Sequence, residues 1–261
     1  QLKHTSSQSV CVNLMDIGVP NQSLSWHIQQ AIDIIETDYY QFNQFKHDRE
    51  HHPPQKLQQV WFNLNSNGDL AEAKQAIRQA QAISAGIHLC KDLGNLPGNV
   101  CTPTYLADQA QQLAQQYQNT LRAEILEEAT LEQLQMGAFL AVSQGSRQPA
   151  KLIVLHYAGA NSSQKPVVLV GKGVTFDAGG ISIKSAAQMD EMKFDMCGGA
   201  AVMGLMKLCA ELQLPLNVIG VIAATENLPG GNAMKPGDIV TSLSGKTIEI
   251  LNTDAEGRLV L

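Results

Sequence analysis

Two features of the sequence predict an α/β fold. Short apolar runs of strand length occupy residues 151–157, 166–170 and 216–224, and each suits a buried strand. Residues 195–212, between the last two runs, repeat Met196, Gly199, Met203, Met206 and Ala210 at the spacing of one helix face. Strands alternating with helices imply a mixed, mostly parallel sheet flanked by helices. The segment ahead of it reads as part of a smaller α/β domain, with its beginning absent.

Residues 9–14 are a short apolar strand. Residues 23–45 are helical, because Ile28, Ile32, Ile35 and Tyr39 recur at three or four positions. A polar loop, 46–54, ends in two prolines, and Val60-Trp61-Phe62 is a second strand. Residues 70–93 form a long helix with Ala73, Ile77, Ala80, Ile83, Ile87 and Cys90 on its apolar side, and it leads into the main domain. Asn95-Leu96-Pro97-Gly98-Asn99 ends that helix. Thr102 and Pro103 then supply an N-cap and a first helical residue for the next. The division expected is 1–84 and 85–261.

A chain of 261 residues with 44% hydrophobic and 16% charged residues can bury a sizeable core. Its net charge of -6 provides no electrostatic footprint for nucleic acid, but it suits a site that gathers divalent cations. The cysteines number 5, an odd count with no CxxC pairing, which points to a reducing compartment and a cytoplasmic location. No segment is long and apolar enough for a transmembrane helix. The start, Gln1-Leu2-Lys3-His4-Thr5, is not a signal peptide and lacks an initiator Met.

The most informative stretch is Asn252-Thr253-Asp254-Ala255-Glu256-Gly257-Arg258-Leu259. In an extended backbone, alternate side chains share one side, so Asp254, Glu256 and Arg258 would converge as two hard oxygen ligands and one fixed cation. Arg258 stays charged and cannot act as a base, but its planar fork suits bidentate capture of a small anion. A second cluster lies upstream: Gly171-Lys172-Gly173-Val174-Thr175-Phe176-Asp177-Ala178-Gly179-Gly180-Ile181-Ser182-Ile183-Lys184, followed by Met189-Asp190-Glu191-Met192-Lys193-Phe194-Asp195-Met196. Together the motifs offer Asp177, Asp195, Asp254 and Glu256 as oxygen ligands, enough to hold a pair of metals. Taken alone, Lys172 reads as a phosphate-binding or solvated lysine, Lys184 as a surface lysine, and Asp195 as a helix N-cap. Asp190 and Glu191 read as solvated or capping residues. Gly173 stands where a phosphate-binding loop of the Walker type needs Ser or Thr, and the glycines at 171 and 173 lack the third of a dinucleotide fingerprint.

These two segments closely resemble the leucyl aminopeptidase family of two-metal exopeptidases, in its bacterial form. All eight residues from Asn252 to Leu259 stand as in that family, and the likeness runs from about Ala85 to the last residue. The resemblance implies that residues 85–261 are a catalytic metallopeptidase domain and that 1–84 are the remnant of an amino-terminal domain with its connecting helix. It implies five metal ligands. Asp177 and Glu256 would contact both metals, Asp254 one, and Asp195 the other; Lys172 would be a deprotonated nitrogen ligand. Lys184 would stay protonated and donate to the substrate carbonyl and its oxyanion. Arg258 would bind bicarbonate, which carries the proton from water to the leaving amine.

The activity implied is release of N-terminal residues, leucine among them, from peptides with a free N-terminus. The implied cofactors are two divalent ions, Mn²⁺ or Zn²⁺, with bicarbonate, and the implied assembly of the full-length protein is a homo-hexamer; oxygen-rich ligation with one amine would also admit Co²⁺. Family members continue well beyond the Asn252–Leu259 stretch, so the chain is expected to be an internal fragment. Ser185-Ala186-Ala187 departs from the Pro-containing version common in bacterial relatives. The loop Asn227-Leu228-Pro229-Gly230-Gly231 also resembles the family, with no catalytic role assigned to it.

Some bacterial relatives bind DNA as architectural or regulatory proteins, a reading that no basic stripe supports here. A two-metal phosphatase or nuclease would not explain Lys172 or the intact Asn252–Leu259 stretch. His47, His51 and His52 lie in a polar loop far from the acids and are not expected to bind metal. No His follows His156, which excludes a Ser-His-Asp site within the motif-bearing half, and HExxH is absent.

Overall fold

A computed structural model describes residues 7–13, 19–47, 56–64 and 69–261. The chain divides into two compact units, Gln1–Ala85 and Gly86–Leu261.

In the first unit, β1 (Ser9–Asn13) pairs in parallel with β2 (Gln59–Asn63), and α1 (Leu24–Tyr39) lies between them in sequence. Ser23 caps α1: its hydroxyl accepts from the Trp26 amide at 3.1 Å. Ile28 and Ile32 are buried and pack against Ala73, Ala76 and Ala80 of α2 (Leu70–Asn95). Helix α1 is shorter than the expected 23–45. Tyr40 leaves helical geometry at ψ 130, and Asn43 donates to Gln41 at 2.9 Å, a local side-chain bond of the kind that competes with helix. His47, just beyond, is exposed, whereas His51 and His52 lie outside the described residues.

The second unit is built on a four-stranded sheet in the order β3-β4-β6-β5, with β3 at Leu121–Glu127, β4 at Lys151–Ala158, β5 at Val167–Asp177 and β6 at Asn217–Asn227. The sheet is mixed, as expected, but its parallel pairing is confined to β5 and β6; β3–β4 and β4–β6 are antiparallel. The reason lies in the connections. Only β5 and β6 are joined by a long helical crossover, α6 (Cys197–Leu212), which returns the chain to the same direction. Strand β3 is not among the expected elements; its charged Arg122 and Glu124 interrupt the apolar run.

Helix α3 (Pro103–Gln116) starts where the sequence places it, with the Thr102 hydroxyl accepting from the Tyr105 amide at 3.2 Å and Pro103 at the first turn. Two short helices, α4 (Glu128–Gln133) and α5 (Gly137–Ser143), follow β3. Alternation along β6 divides the core. Ala223 joins Phe139 and Val142 of α5, Val174 of β5 and Ile250 in one buried cluster. Ile222, pointing to the other face, lies against the start of α6, where a side chain on Gly199 would come within 2.6 Å of it.

The same face explains how α6 begins so close to β5. A Cβ on Gly171 would sit 2.5 Å from the Gly198 carbonyl oxygen, so only glycine permits this approach. After β6, a small antiparallel hairpin of β7 (Ile239–Thr241) and β8 (Thr247–Glu249) precedes the turn that carries Asp254 and Glu256, and α7 (Gly257–Val260) follows it.

Candidate metal centre

The site begins with an irregularity in β5. Its register against β6 shifts between Val174 and Phe176, so that Lys172 pairs with Ala223 and Asp177 with Asn227. Residues five apart in a regular strand point to opposite faces. The extra residue of this bulge brings Lys172 and Asp177 to the same face. The backbone then turns through residues 178–184, held by Ala178 donating to the Asn227 carbonyl at 2.9 Å and Lys184 donating to the Ala178 carbonyl at 3.0 Å.

The Asn252–Leu259 stretch corrects one expectation. It is not extended. The Asn252 side chain accepts from the Asp254 amide at 2.9 Å and makes a turn, and the Leu259 and Val260 amides donate back to the Glu256 carbonyl as α7 begins. Asp254 and Glu256 therefore meet different partners. Asp254 reaches Lys184 Nζ at 2.5 Å, and Glu256 reaches Lys172 Nζ at 2.6 Å. Arg258 is exposed on α7 and forms no ion pair among the described residues. It still lines the same cleft, of ≈ 410 Å³, as Lys172, Asp177, Lys184, Asp195, Asp254 and Glu256.

Asp195 is another correction. It ends a 3₁₀ helix, Met189–Met196, whose last residue serves as N-cap of α6 without a side-chain bond. The Asp195 carboxylate instead meets Lys172 Nζ at 2.7 Å. Asp190 and Glu191 are exposed at the start of the 3₁₀ helix and stay outside the cleft. Lys184 also reaches Asp177, at 3.1 Å.

Three acids gather most tightly. Asp177, Asp195 and Glu256 each place a carboxylate oxygen within 4.8 Å of the others. Asp177 and Glu256 are almost wholly buried, at 3% and 2% exposure. At that separation each pair of charges repels by roughly 3–4 kcal/mol at an effective dielectric of about 20. Burial raises the Asp195 pKa, the Lys172 ammonium opposes that shift, and the charges of Asp177 and Glu256 reinforce it. For Lys172, burial favours the neutral amine, but hydrogen bonds and charge from Asp195 and Glu256 outweigh it and raise the pKa. The balance at Lys184 is the same in kind, with Asp254 and Asp177 as partners.

The four carboxylates contribute −4 and the two ammoniums +2, so −2 remains within the cleft, apart from Arg258 at its edge. Asp195 Oδ2 and Asp254 Oδ1 are buried atoms, and a lysine ammonium meets each of them. Buried anionic oxygens with residual negative charge, and two lysine nitrogens beside them, fit divalent cations. Among the described residues no other group of His, Cys, Asp or Glu side chains has this closeness.

A polar lattice beneath the cleft was not assigned from sequence. Asn227, 2% exposed, donates from Nδ2 to Asp177 Oδ1 at 2.8 Å and to the Thr253 carbonyl at 2.9 Å. The Gly179 amide donates to the same Asp177 oxygen at 2.9 Å. Thr253 is fully buried; its hydroxyl donates to the Gly179 carbonyl at 2.6 Å and accepts from the Ser182 amide at 2.8 Å. The Thr253 amide in turn donates to the Ser182 hydroxyl at 3.1 Å. Ser182 and Thr253 lie within the two motif stretches and Asn227 opens the Asn227–Gly231 loop, but the sequence assigned none of them a role.

The profile described as "Cytosol aminopeptidase family, catalytic domain" matches residues 88–261. The "Probable cytosol aminopeptidase" of Thioalkalivibrio sulfidiphilus is 56% identical over 248 residues, covering 95% of this chain and 50% of the relative. That of Nitrosomonas europaea is 53% identical over 260 residues, covering 100% of this chain and 52% of the relative. A solved structure titled "Bottromycin maturation enzyme BotP in complex with Mn" aligns with a TM-score of 0.85 at 30% identity, covering 98% of this chain and 52% of that one. The chain thus spans about half the length of the curated relatives it matches.

Proposed function

Because the chain belongs to the cytosol aminopeptidase family, we propose that the intact protein is a metal-dependent aminopeptidase acting at the free N-terminus of peptides. The observation that carries this reading is the cleft in which four carboxylates and two lysines converge from β5, the Met189–Met196 helix and the Asn252–Leu259 stretch.

Asp177, Asp195, Asp254, Glu256 and Lys172 would hold two divalent ions, manganese or zinc. Bound there, such ions supply polarisation of the scissile carbonyl and activation of water. Lys172 would enter as the amine, since a nearby dication reverses the preference for ammonium that the acids impose. Lys184 keeps its proton, as its raised pKa favours, and donates it in a hydrogen bond to the oxygen on which charge develops. Arg258, which pairs with no acid among the described residues, would present its fork to bicarbonate at the cleft edge, and that anion would supply a proton carrier between water and the leaving amine. The homo-hexamer and a cytoplasmic location belong to the same reading. No described helix is long and apolar enough to cross a membrane. A DNA-binding role has no support: the chain carries a net charge of -6.

The test is hydrolysis of leucine amide by the intact protein, loaded with Mn²⁺, against its N-acetylated counterpart. Cleavage of the free amide with the blocked one spared is the expected result; equal rates would overturn the proposal.

A further inference from the structure

We propose that Asn227 and Thr253 are positioning residues that set the spacing between the acids of β5 and those of the Asn252–Leu259 stretch, and so tune the affinity of the cleft for divalent ions. The proposal rests on the reading of that cleft as a metal centre.

The acids arrive on separate segments. Asp177 ends β5, whereas Asp254 and Glu256 sit on a turn after the β7–β8 hairpin. No helix or sheet ladder joins the two; side chains do. One Asn227 amide nitrogen holds Asp177 Oδ1 and the carbonyl of Thr253, the residue just before Asp254. With the Gly179 amide on the same oxygen, Asp177 Oδ1 is committed to the scaffold, and its other oxygen, Oδ2, is the one that faces Lys184. Thr253 and Ser182 then exchange hydrogen bonds in both directions, which fixes the loop that carries Lys184 to the same turn.

Both donors lie out of solvent, where an unmade bond cannot be replaced by water. The lattice also closes tightly on Gly180, at φ +65. A Cβ there would lie 2.8 Å from Asn227 Oδ1 and 3.0 Å from Thr253 Oγ1. Asn227 sits opposite Asp177 only because the β5 bulge shifts the register, so the bulge and the amide act on the same carboxylate. Groups that hold a ligand's second oxygen orient its first, and their loss typically weakens metal binding by about 10–100-fold.

The experiment is Mn²⁺ titration of the intact protein, read by calorimetry and by the paramagnetic resonance signal of free Mn²⁺. Parent, Asn227→Leu, Thr253→Val and Thr253→Ser are compared, with circular dichroism to establish folding. Asn227→Leu and Thr253→Val should bind Mn²⁺ about 10-fold or more weakly, while Thr253→Ser, which keeps the hydroxyl, should stay within about threefold of the parent. If Asn227→Leu does not fold, the Thr253 pair carries the test. Folded variants that melt earlier yet bind Mn²⁺ like the parent would overturn the proposal, as would equal losses in Thr253→Val and Thr253→Ser. A parent that binds no Mn²⁺ would overturn the metal-centre reading itself.

Discussion

Lys172 and Glu256 stand 84 residues apart in the chain, and their Nζ and Oε1 atoms meet at 2.6 Å. Glu256 is 2% exposed. A charge so deeply placed is costly to bury without an opposite charge beside it. Glu256 favours the charged form of Lys172, and the Asp195 carboxylate shares the same ammonium.

That arrangement separates the tasks of the two lysines. Lys172→Ala in the intact protein should lower metal content, since it removes a donor from among the acids. Lys184→Ala should leave metal content near that of the parent while turnover falls by roughly 10²–10³, the loss seen when one oxyanion donor is removed. Elemental analysis alongside kinetics distinguishes them, and the reverse pattern would exchange their roles.

Glu256→Gln keeps the shape of the side chain and removes its charge. It should abolish nearly all activity and lower metal occupancy. A variant with both metals bound and parental turnover would show that Glu256 is not a ligand.

Away from the cleft, α2 and α6 approach through Gly86 and Gly204. A Cβ on Gly204 would lie 2.5 Å from the Gly86 carbonyl oxygen, a contact that backbone cannot relieve by rotating. Gly204→Ala should therefore cost about 1–3 kcal/mol, the usual penalty for overpacking. Denaturant melts of the intact protein would measure it, and an unchanged midpoint would mean that the helices can separate without cost.

Cys101 is 2% exposed, and burial, with the neighbouring Cys197 charge, pushes its thiol up from 9.0 to about 12. The thiolate is the reactive form, so at pH 8 only about one molecule in 10⁴ would present it. Native protein should be alkylated by iodoacetamide at the exposed Cys11 well before Cys101, as peptide mapping would reveal. The sign of the linkage is also determined. A raised acid pKa stabilises the fold below pH 9, and this contribution is lost as pH rises through about 12. Rapid modification of Cys101 under native conditions would contradict its burial.

What the sequence by itself determined is local chemistry. Thr102 and Pro103 announced a helix start because a capping hydroxyl and a fixed φ act within one turn. The apolar spacing of 195–212 announced α6, and the acid-rich stretches announced the residues that line the cleft. Conformation at the motif was less legible. Alternation of Asp254, Glu256 and Arg258 suggested an extended backbone, but the Asn252 side chain captures the Asp254 amide and turns the chain. Only the tertiary structure decided which acid meets which lysine, that Asp195 pairs with Lys172 rather than capping α6, and that Asn227 grips Asp177. Those pairings depend on the β5 bulge, on the crossover that sets β5 beside β6, and on the close approach at Gly171. Without the extra residue of the bulge, Lys172 and Asp177 would point to opposite faces, and the register that holds the bulge is fixed by packing across the whole sheet, not by the residues on either side of the motif.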